Sequence, residues 1–216
     1  GKFIRDAVSG EPSGFDRDSG AVGFYVSNAN LSLSVLQNSA TPTRKYLGLE
    51  FKLDGLGLEG IQGLIFEVND AYLKVNWASE GARLNWVKAY ENDGSTPTKK
   101  IAQFTELTSD VALQIHGQME LSAFGFVMAY GEFYLFKGEV EDVNDDSYDA
   151  AEQTGIEPFN ADLLSISFVN VSLFAGAGGE FTRAVDSDPN DNMDPPVTGF
   201  NRNNGAVGFY LANANL

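Results

Sequence analysis

Hydrophobic positions along this chain recur with a period of two. From 111 to 121 the apolar residues Val111, Leu113, Ile115, Met119 and Leu121, with Gly117 among them, alternate with Ala112, Gln114, His116, Gln118 and Glu120. Successive side chains of a strand point to opposite faces, so this alternation predicts a half-buried strand, or two strands joined at a bend near Gly117. The same spacing places strands at Leu31, Leu33 and Val35, at Leu47 to Leu53, at Leu73, Val75 and Trp77, and at Leu164, Ile166 and Phe168. No segment of twelve or more residues carries a capped 3.6-residue period. Only 150–158 offers room for a helical turn or two.

A second pattern overlies the first. Gly23 to Val26, Ile65 to Val68 and Ser165 to Val169 are each followed by a small polar step, and then by another alternating run. The steps are Ser27 to Asn30, Asn69-Asp70 and Asn170, and Asn, Asp and Gly tolerate the left-handed or bulged backbone that a corner needs. Strands that turn corners every few residues predict an all-β fold: an elongated β-solenoid or a long coiled β-sheet repeat unit, with a β-sandwich as the alternative. Polar stretches at 8–19, 38–44, 90–100, 139–160 and 184–204 are expected loops. None has linker composition, so one continuous architecture is expected.

The chain repeats itself. Residues 14–31 read GFDRDSGAVGFYVSNANL and residues 199–216 read GFNRNNGAVGFYLANANL, identical at 13 of 18 positions and offset by 185. A weaker echo relates Gly1 to Arg5 with Gly179 to Arg183 at an offset of 178, which puts a seven-residue insertion in the acidic stretch 184–198. The simplest division is one repeat unit at 1–185 and the start of the next at 186–216, the latter overlapping in sequence with 1–31. Gly20, Ala21, Val22, Gly23, Phe24 and Tyr25, and their counterparts Gly205, Ala206, Val207, Gly208, Phe209 and Tyr210, become the candidate repeat junction. Gly1 is followed by no charged-then-apolar leader, and Leu216 falls inside a strand pattern. Both lead to the expectation that this chain is a window onto a longer tandem array, or the visible part of a filament.

Composition narrows the classes. The 216 residues include 30 Asp and Glu against 14 Lys and Arg, a net charge of −16. A surface this negative repels phosphate backbones, so no nucleic-acid partner is expected. With no Cys and one His, the chain holds no disulfide, thiolate zinc site, cysteine nucleophile or multi-histidine metal site. An apolar fraction of 43%, with 16 Phe and 8 Tyr, is too rich for a disordered chain. No apolar run approaches the roughly 20 residues of a spanning helix.

Candidate chemistry centres on the acidic loops. Asp186, Asp188, Asn190, Asn192 and Asp194 place side-chain oxygens at every second position, as a tight loop does around a hard cation, and form the candidate calcium site. The loop departs from an EF-hand, with Asp191 where Gly belongs and Val197 where the bidentate Glu belongs. The carboxylates from Glu139 to Asp149 read as a solvated hairpin tip, with cation binding as the lesser alternative. Those from Glu11 to Asp18 are a weaker cation candidate, since Asp16 and Asp18 become Asn201 and Asn203 in the second copy. His116 lies on the polar face of its strand and reads as an exposed or hydrogen-bonded surface histidine. No catalytic triad is readable around it. Gly176 to Gly179 lacks the Lys-Ser/Thr of a phosphate loop and reads as close strand packing. Phe124, Phe126, Tyr130, Phe133, Tyr134 and Phe136 put rings on both faces of their segment, as core or as a subunit contact. Trp77 and Trp86 flank Gly81 and offer a sugar-stacking platform as a minor alternative.

Taken together, the Gly-Ala-Val-Gly-Phe-Tyr blocks, the Asn-Ala-Asn-Leu steps, Asn69 to Asn76, Ala82 to Trp86, Met119 to Lys137 and Ser172 to Gly179 with its following Asp/Asn-rich loop carry a resemblance over most of the chain. The sequence resembles the tandem β-repeat modules of giant secreted or surface proteins of aquatic bacteria, the calcium-associated, adhesin-like RTX-type giants. The resemblance implies an extracellular or cell-surface location, a repetitive structural role and association with calcium.

The expected function is that of a non-catalytic structural repeat of an extracellular filament or giant cell-surface adhesin, joined end to end by β-strand pairing. Its partners would be neighbouring copies of the same repeat, with the Gly20–Val35 and Gly205–Leu216 strands covering each other's edges. The alternatives are an extracellular module that binds surface glycans and, further off, a polysaccharide-degrading β-solenoid enzyme. A β trough carrying lipid is a fourth reading.

Overall fold

The computed structural model describes residues 2–16, 20, 22–89, 104–143, 159–185, 195–201 and 203–216. The helical turn expected at 150–158 lies outside these residues. The described residues contain twelve strands and no helix: β1 (Lys2–Arg5), β2 (Pro12–Asp16), β3 (Gly23–Ser27), β4 (Asn30–Gln37), β5 (Lys45–Glu59), β6 (Leu64–Ala78), β7 (Val111–Ala123), β8 (Val127–Val143), β9 (Phe159–Ala177), β10 (Phe181–Arg183), β11 (Val197–Phe200) and β12 (Val207–Ala214). The loops expected at 8–19, 139–160 and 184–204 thus contain β2, the ends of β8 and β9, and β11. Short strands flanked by Asp, Asn and Pro hide within polar composition.

Eight strands form one open sheet, in the order β12-β9-β8-β7-β6-β5-β3, with β4 also on β5. Every pairing is antiparallel. β3 lies against Gly55 to Glu59 and β4 against Lys45 to Lys52, so they are two halves of one edge strand broken at Asn28. The remaining strands form two hairpins, β1–β2 and β10–β11. The all-β expectation therefore holds in its coarse form. A solenoid would need coils stacked in parallel. These pairings instead build an antiparallel meander whose corners bend strands within one sheet.

The corners fall at one level across the sheet. Asn28, Asp70, Asn170 and Asn213 all have left-handed φ, between 46° and 54°. The register shifts between Asn69 and Tyr72 on β6, between Tyr130 and Glu132 where β8 meets β9, and between Leu211 and Ala214 on β12. β7 crosses the same level without a break, on Gly117, which makes Val111–Ala123 one strand. The side chain of Asn28 donates to Asp54 Oδ2 at 2.8 Å, tying the edge corner to its neighbour.

Cross-strand partners share a face, so the register sorts the residues. One face carries Glu67, Glu120 and Tyr130 in one row, and Ser32, Glu50, Lys74, Gln114 and Phe136 in another. The opposite face carries Leu31, Phe51, Leu73, Ile115, Leu135 and Ile166, and beside them Leu33, Leu49, Val75 and Leu113. The chain covers the first, polar face. Glu50, Glu67, Lys74, Asn76, Glu120, Ser122 and Ser172 are buried, whereas Leu31, Leu33, Val35, Trp77, Leu164 and Ile166 are exposed.

The segment between β6 and β7 supplies the main cover. Trp86, Phe104 and Leu107 pack with Val111, Tyr46, Leu36 and Phe136 over β4 to β8. Trp86 lies flat over Gly48, where a Cβ would stand 2.5 Å from its ring. Its indole N–H donates to Asn76 Oδ1 at 3.0 Å. Asn76 in turn donates to the carbonyls of Leu84 (2.9 Å) and Thr108 (2.8 Å), so one buried amide ties both ends of the cover to β6. Buried Glu50 accepts from the backbone amides of Thr105 (3.0 Å) and Glu106 (2.7 Å).

Gly48→Val is expected to displace Trp86 from the sheet. Loss of a buried indole contact and its hydrogen bond costs about 3–5 kcal/mol. Urea unfolding followed by tryptophan fluorescence checks this: a wild-type midpoint in the variant would contradict the packing.

Candidate junction strands at the two sheet edges

The two copies of the repeated sequence form opposite edges of the sheet. The first copy is β3 with the start of β4, and the second is β12. Both are antiparallel to their inner neighbours, β5 and β9, and both run in the same direction. They also present the same faces. Tyr25 lies in the row of Gly57, Glu67, Glu120, Tyr130 and Ser172, and Tyr210 pairs with Phe174, two residues further along that side of β9. Phe24 and Phe209 point to the opposite, apolar side, where both are exposed. The corner repeats at Asn28 and Asn213, and the left-handed glycine at Gly20 and Gly205.

The hairpins repeat as well. In β1–β2, Phe3 pairs with Phe15, and a bulge leaves Arg5 opposite Pro12. In β10–β11, Phe181 pairs with Phe200, and the same bulge leaves Arg183 opposite Val197. Arg5 Nη1 donates to Gly10 O at 2.9 Å, and Arg183 Nη1 to Pro195 O at 2.7 Å. The amide of Asp6 donates to Glu11 O, and that of Ala184 to Pro196 O. The offset is 178 on one strand and 185 on the other, so the extra residues fall in the sequence between β10 and β11.

β12 pairs with β9 from Val207–Ala177 to Ala214–Val171, and Leu216 exchanges both backbone hydrogen bonds with Phe168. The approach depends on glycine. A Cβ on Gly208 would strike the carbonyl oxygen of Ala175 and stand 2.6 Å from Gly176 Cα. Past the corner, the amide of Asn213 donates to Ser172 Oγ (3.1 Å), and Asn215 Oδ1 accepts from the amide of Asn170 (2.9 Å). The β10–β11 hairpin closes over the polar face. Phe200 meets Phe181, Tyr130, Phe174 and Tyr210, with ring centroids 5.3–6.2 Å apart. Arg183 Nη2 reaches buried Glu120 Oε2 at 2.8 Å, and Glu120 Oε1 accepts from the amide of Val197 at 3.2 Å. A buried carboxylate held by a guanidinium and an amide is a specific latch, because losing either partner leaves a charge desolvated.

Of the residues named from sequence as the candidate junction, Gly23, Phe24 and Tyr25 lie in β3 and Val207, Gly208, Phe209 and Tyr210 in β12; Gly20, Val22, Gly205 and Ala206 precede these strands, and Ala21 lies outside the described residues. The sequence reading missed Glu120 and Arg183. The echo of Arg5 in Arg183 was the available signal. The calcium candidates Asp186, Asp188, Asn190, Asn192 and Asp194 all lie outside the described residues. Among the described residues, no three carboxylates or histidines cluster as a metal site. Trp77 and Trp86 do not make a platform: Trp86 is buried under the cover, and Trp77 is half-exposed and pairs with Leu47 on the other face. His116 is not a surface residue. Its side chain is 14% exposed and stacks between Tyr72 and Tyr134, at 5.1 and 4.3 Å.

The covered face carries a charge network near His116. Glu106 meets Lys74 at 2.6 Å and Lys52 at 3.0 Å. Hydrogen bonds from Lys74 and then Lys52 hold its carboxyl pKa below the ordinary 4.5. Burial, and then the charge of Glu106, raises the pKa of Tyr72. Tyr134 is raised by donating its hydroxyl proton to Glu132.

No protein-family model, curated protein or solved structure matches this chain. No helix among the described residues is long and apolar enough to cross a membrane.

Since Glu106 is more acidic folded than unfolded, its stabilisation is complete above pH 4.5 and is lost as pH falls through the folded value. Glu106→Gln should cost about 1–2 kcal/mol at pH 7, because Lys74 is buried and loses its counter-charge while Glu106 itself is half-exposed. It should also flatten the fall in stability below pH 4.5. Urea titrations between pH 3 and 7 check both; parallel wild-type and variant profiles would rule out the pair as a source of stability.

Proposed function

We propose that this chain is a non-catalytic structural module that extends edge to edge into a filament or a long cell-surface adhesin. One observation carries the reading: the same sequence forms both edges of the sheet, with the same direction, face and corner. An operation that carries β3 onto β12 continues the sheet without reversing it. Each step adds six strands, namely β3 with β4, then β5 to β9. The tandem reading takes 1–185 as one unit and 186–216 as the opening of the next, and supports an extracellular, repetitive role.

The wide apolar face supports a working state with neighbours, since a lone soluble domain rarely leaves so large an apolar surface in water. The charge of −16 keeps such rods apart and draws cations to their surface. Calcium at 186–194 remains part of this proposal through the alternation of oxygen donors in that loop.

Strands spaced about 4.8 Å apart give an axial repeat of about 29 Å for six strands. Native material examined by fibre diffraction or electron microscopy should show rods with that repeat. Its intact mass in denaturant with EDTA separates a covalent array, many times 23.3 kDa, from assembled subunits of about that mass. Particles without an axial repeat would remove the structural role.

A further inference from the structure

The β9 edge and the Glu120 latch are filled in this chain by its own second copy. The first copy carries the same parts without that setting. Residues 4–12 of the first hairpin are exposed, Ile4 among them. Gly23 makes the contrast sharpest. Its counterpart Gly208 is crowded by the backbone of β9, yet a Cβ on Gly23 would meet nothing within 4 Å, and its φ is not left-handed. Nothing among the described residues requires glycine at 23.

We infer that β1 to β4 of one copy dock on the β7–β9 surface of a second copy of this repeat, in the place and register that β10 to β12 occupy here. The inference rests on the edge-to-edge reading above and specifies its joint. Gly23 then opposes Gly176 of the other copy, Phe24 opposes Ala175, Val26 opposes Leu173, Ala29 opposes Val171, and Leu31 exchanges backbone hydrogen bonds with Phe168. Asn30 Oδ1 accepts from the amide of Asn170, as Asn215 does here. Arg5 keeps its bond to Gly10 O through Nη1 and turns Nη2 to Glu120 of the other copy, as Arg183 does. Gly23 is where the two backbones come close.

In each copy the β9 surface is already filled by its own β10 to β12, so the test opens it. Gly208→Val pushes β12 off β9, and Arg183→Ala releases the second hairpin. The full chain with both changes should self-associate, with a mass that rises with concentration in analytical ultracentrifugation. Adding Gly23→Val should return it to the mass of one chain, and adding Arg5→Ala should weaken association roughly tenfold. Gly23→Val alone should leave the wild-type melting temperature unchanged. A folded, opened chain that stays monomeric, or one that associates equally well after Gly23→Val, overturns the inference.

Cross-linking gives an answer even where the opened chain loses its fold. The protein has no cysteine, so otherwise wild-type chains carrying Val26→Cys and Leu173→Cys can be unfolded together and refolded under oxidising conditions. The mixed disulfide dimer should form well above the level given by Val26→Cys with Ile166→Cys, which lies on the same face beyond the corner. Equal yields overturn the register. Native rods with a repeat near 29 Å, but without dependence on Gly23, would keep the structural role and discard this joint. Specific cross-links without native rods would keep the joint and discard the role.

Discussion

The whole sheet depends on its strands turning a corner at the same level. Side chains alternate with period two, so one residue gained or lost on a single strand exchanges its two faces from that point on. β6 takes an extra residue at Asp70, β9 at Asn170, and the two edge strands at Asn28 and Asn213, each in a left-handed conformation that a short polar side chain tolerates. β7 and β8 pass the same level on Gly117 and Gly131, pairing with each other without a shift. Where β6 meets β7 and β9 meets β8, the strand with the extra residue faces one that passes on glycine. Polar residues therefore remain on one face from end to end, and strands of 13 to 19 residues behave as single elements.

Holding the faces apart produces an uncommon distribution of cover. The face enclosed by the chain is the polar one, so its burial has to be made good bond by bond. Glu50 is satisfied by loop amides, Asn76 by two carbonyls and an indole, Lys74 by Glu106, and Glu120 by Arg183 and an amide. Such networks add modest net stability but define geometry strictly, since a misplaced partner leaves a desolvated polar group. The opposite face offers area without direction. Specificity of geometry thus lies on the side that carries the latch.

Much of this was legible in the sequence. The period of two at Val111 to Leu121, at Leu47 to Leu53 and at Leu164 to Phe168 located real strands, and the polar steps at Asn28, Asp70 and Asn170 located real corners. Thirteen identities between 14–31 and 199–216 needed no coordinates. What alternation does not encode is which of two faces the chain will cover. His116 read as a surface residue for that reason, yet it stacks between its cross-strand neighbours Tyr72 and Tyr134 on the covered face. Trp86, Phe104 and Leu107 carry no periodicity because they belong to an irregular cover, and their signal was only apolar bulk inside a polar stretch. The pairing of Glu120 with Arg183 joins residues far apart in sequence, and only the topology brings them together. Strand direction was equally hidden, since parallel and antiparallel neighbours share the same period.

The symmetry of the joint decides what kind of object such a chain can build. Two edges related by a two-fold axis would pair with each other and stop at a dimer. Here the edges share sequence, direction and face, so the operation relating them is a step along the sheet, and in the proposed array every step would regenerate the edge it consumes. An association of this kind has no internal reason to end. It must be limited by the chain itself, through the number of copies it carries or through a different strand at its last edge. Within this chain the second copy fills the β9 edge and closes the Glu120 latch. In the proposed array, growth past β12 would be decided by the strand laid against its outer edge, because that edge carries the sequence that, at β3, pairs with β5.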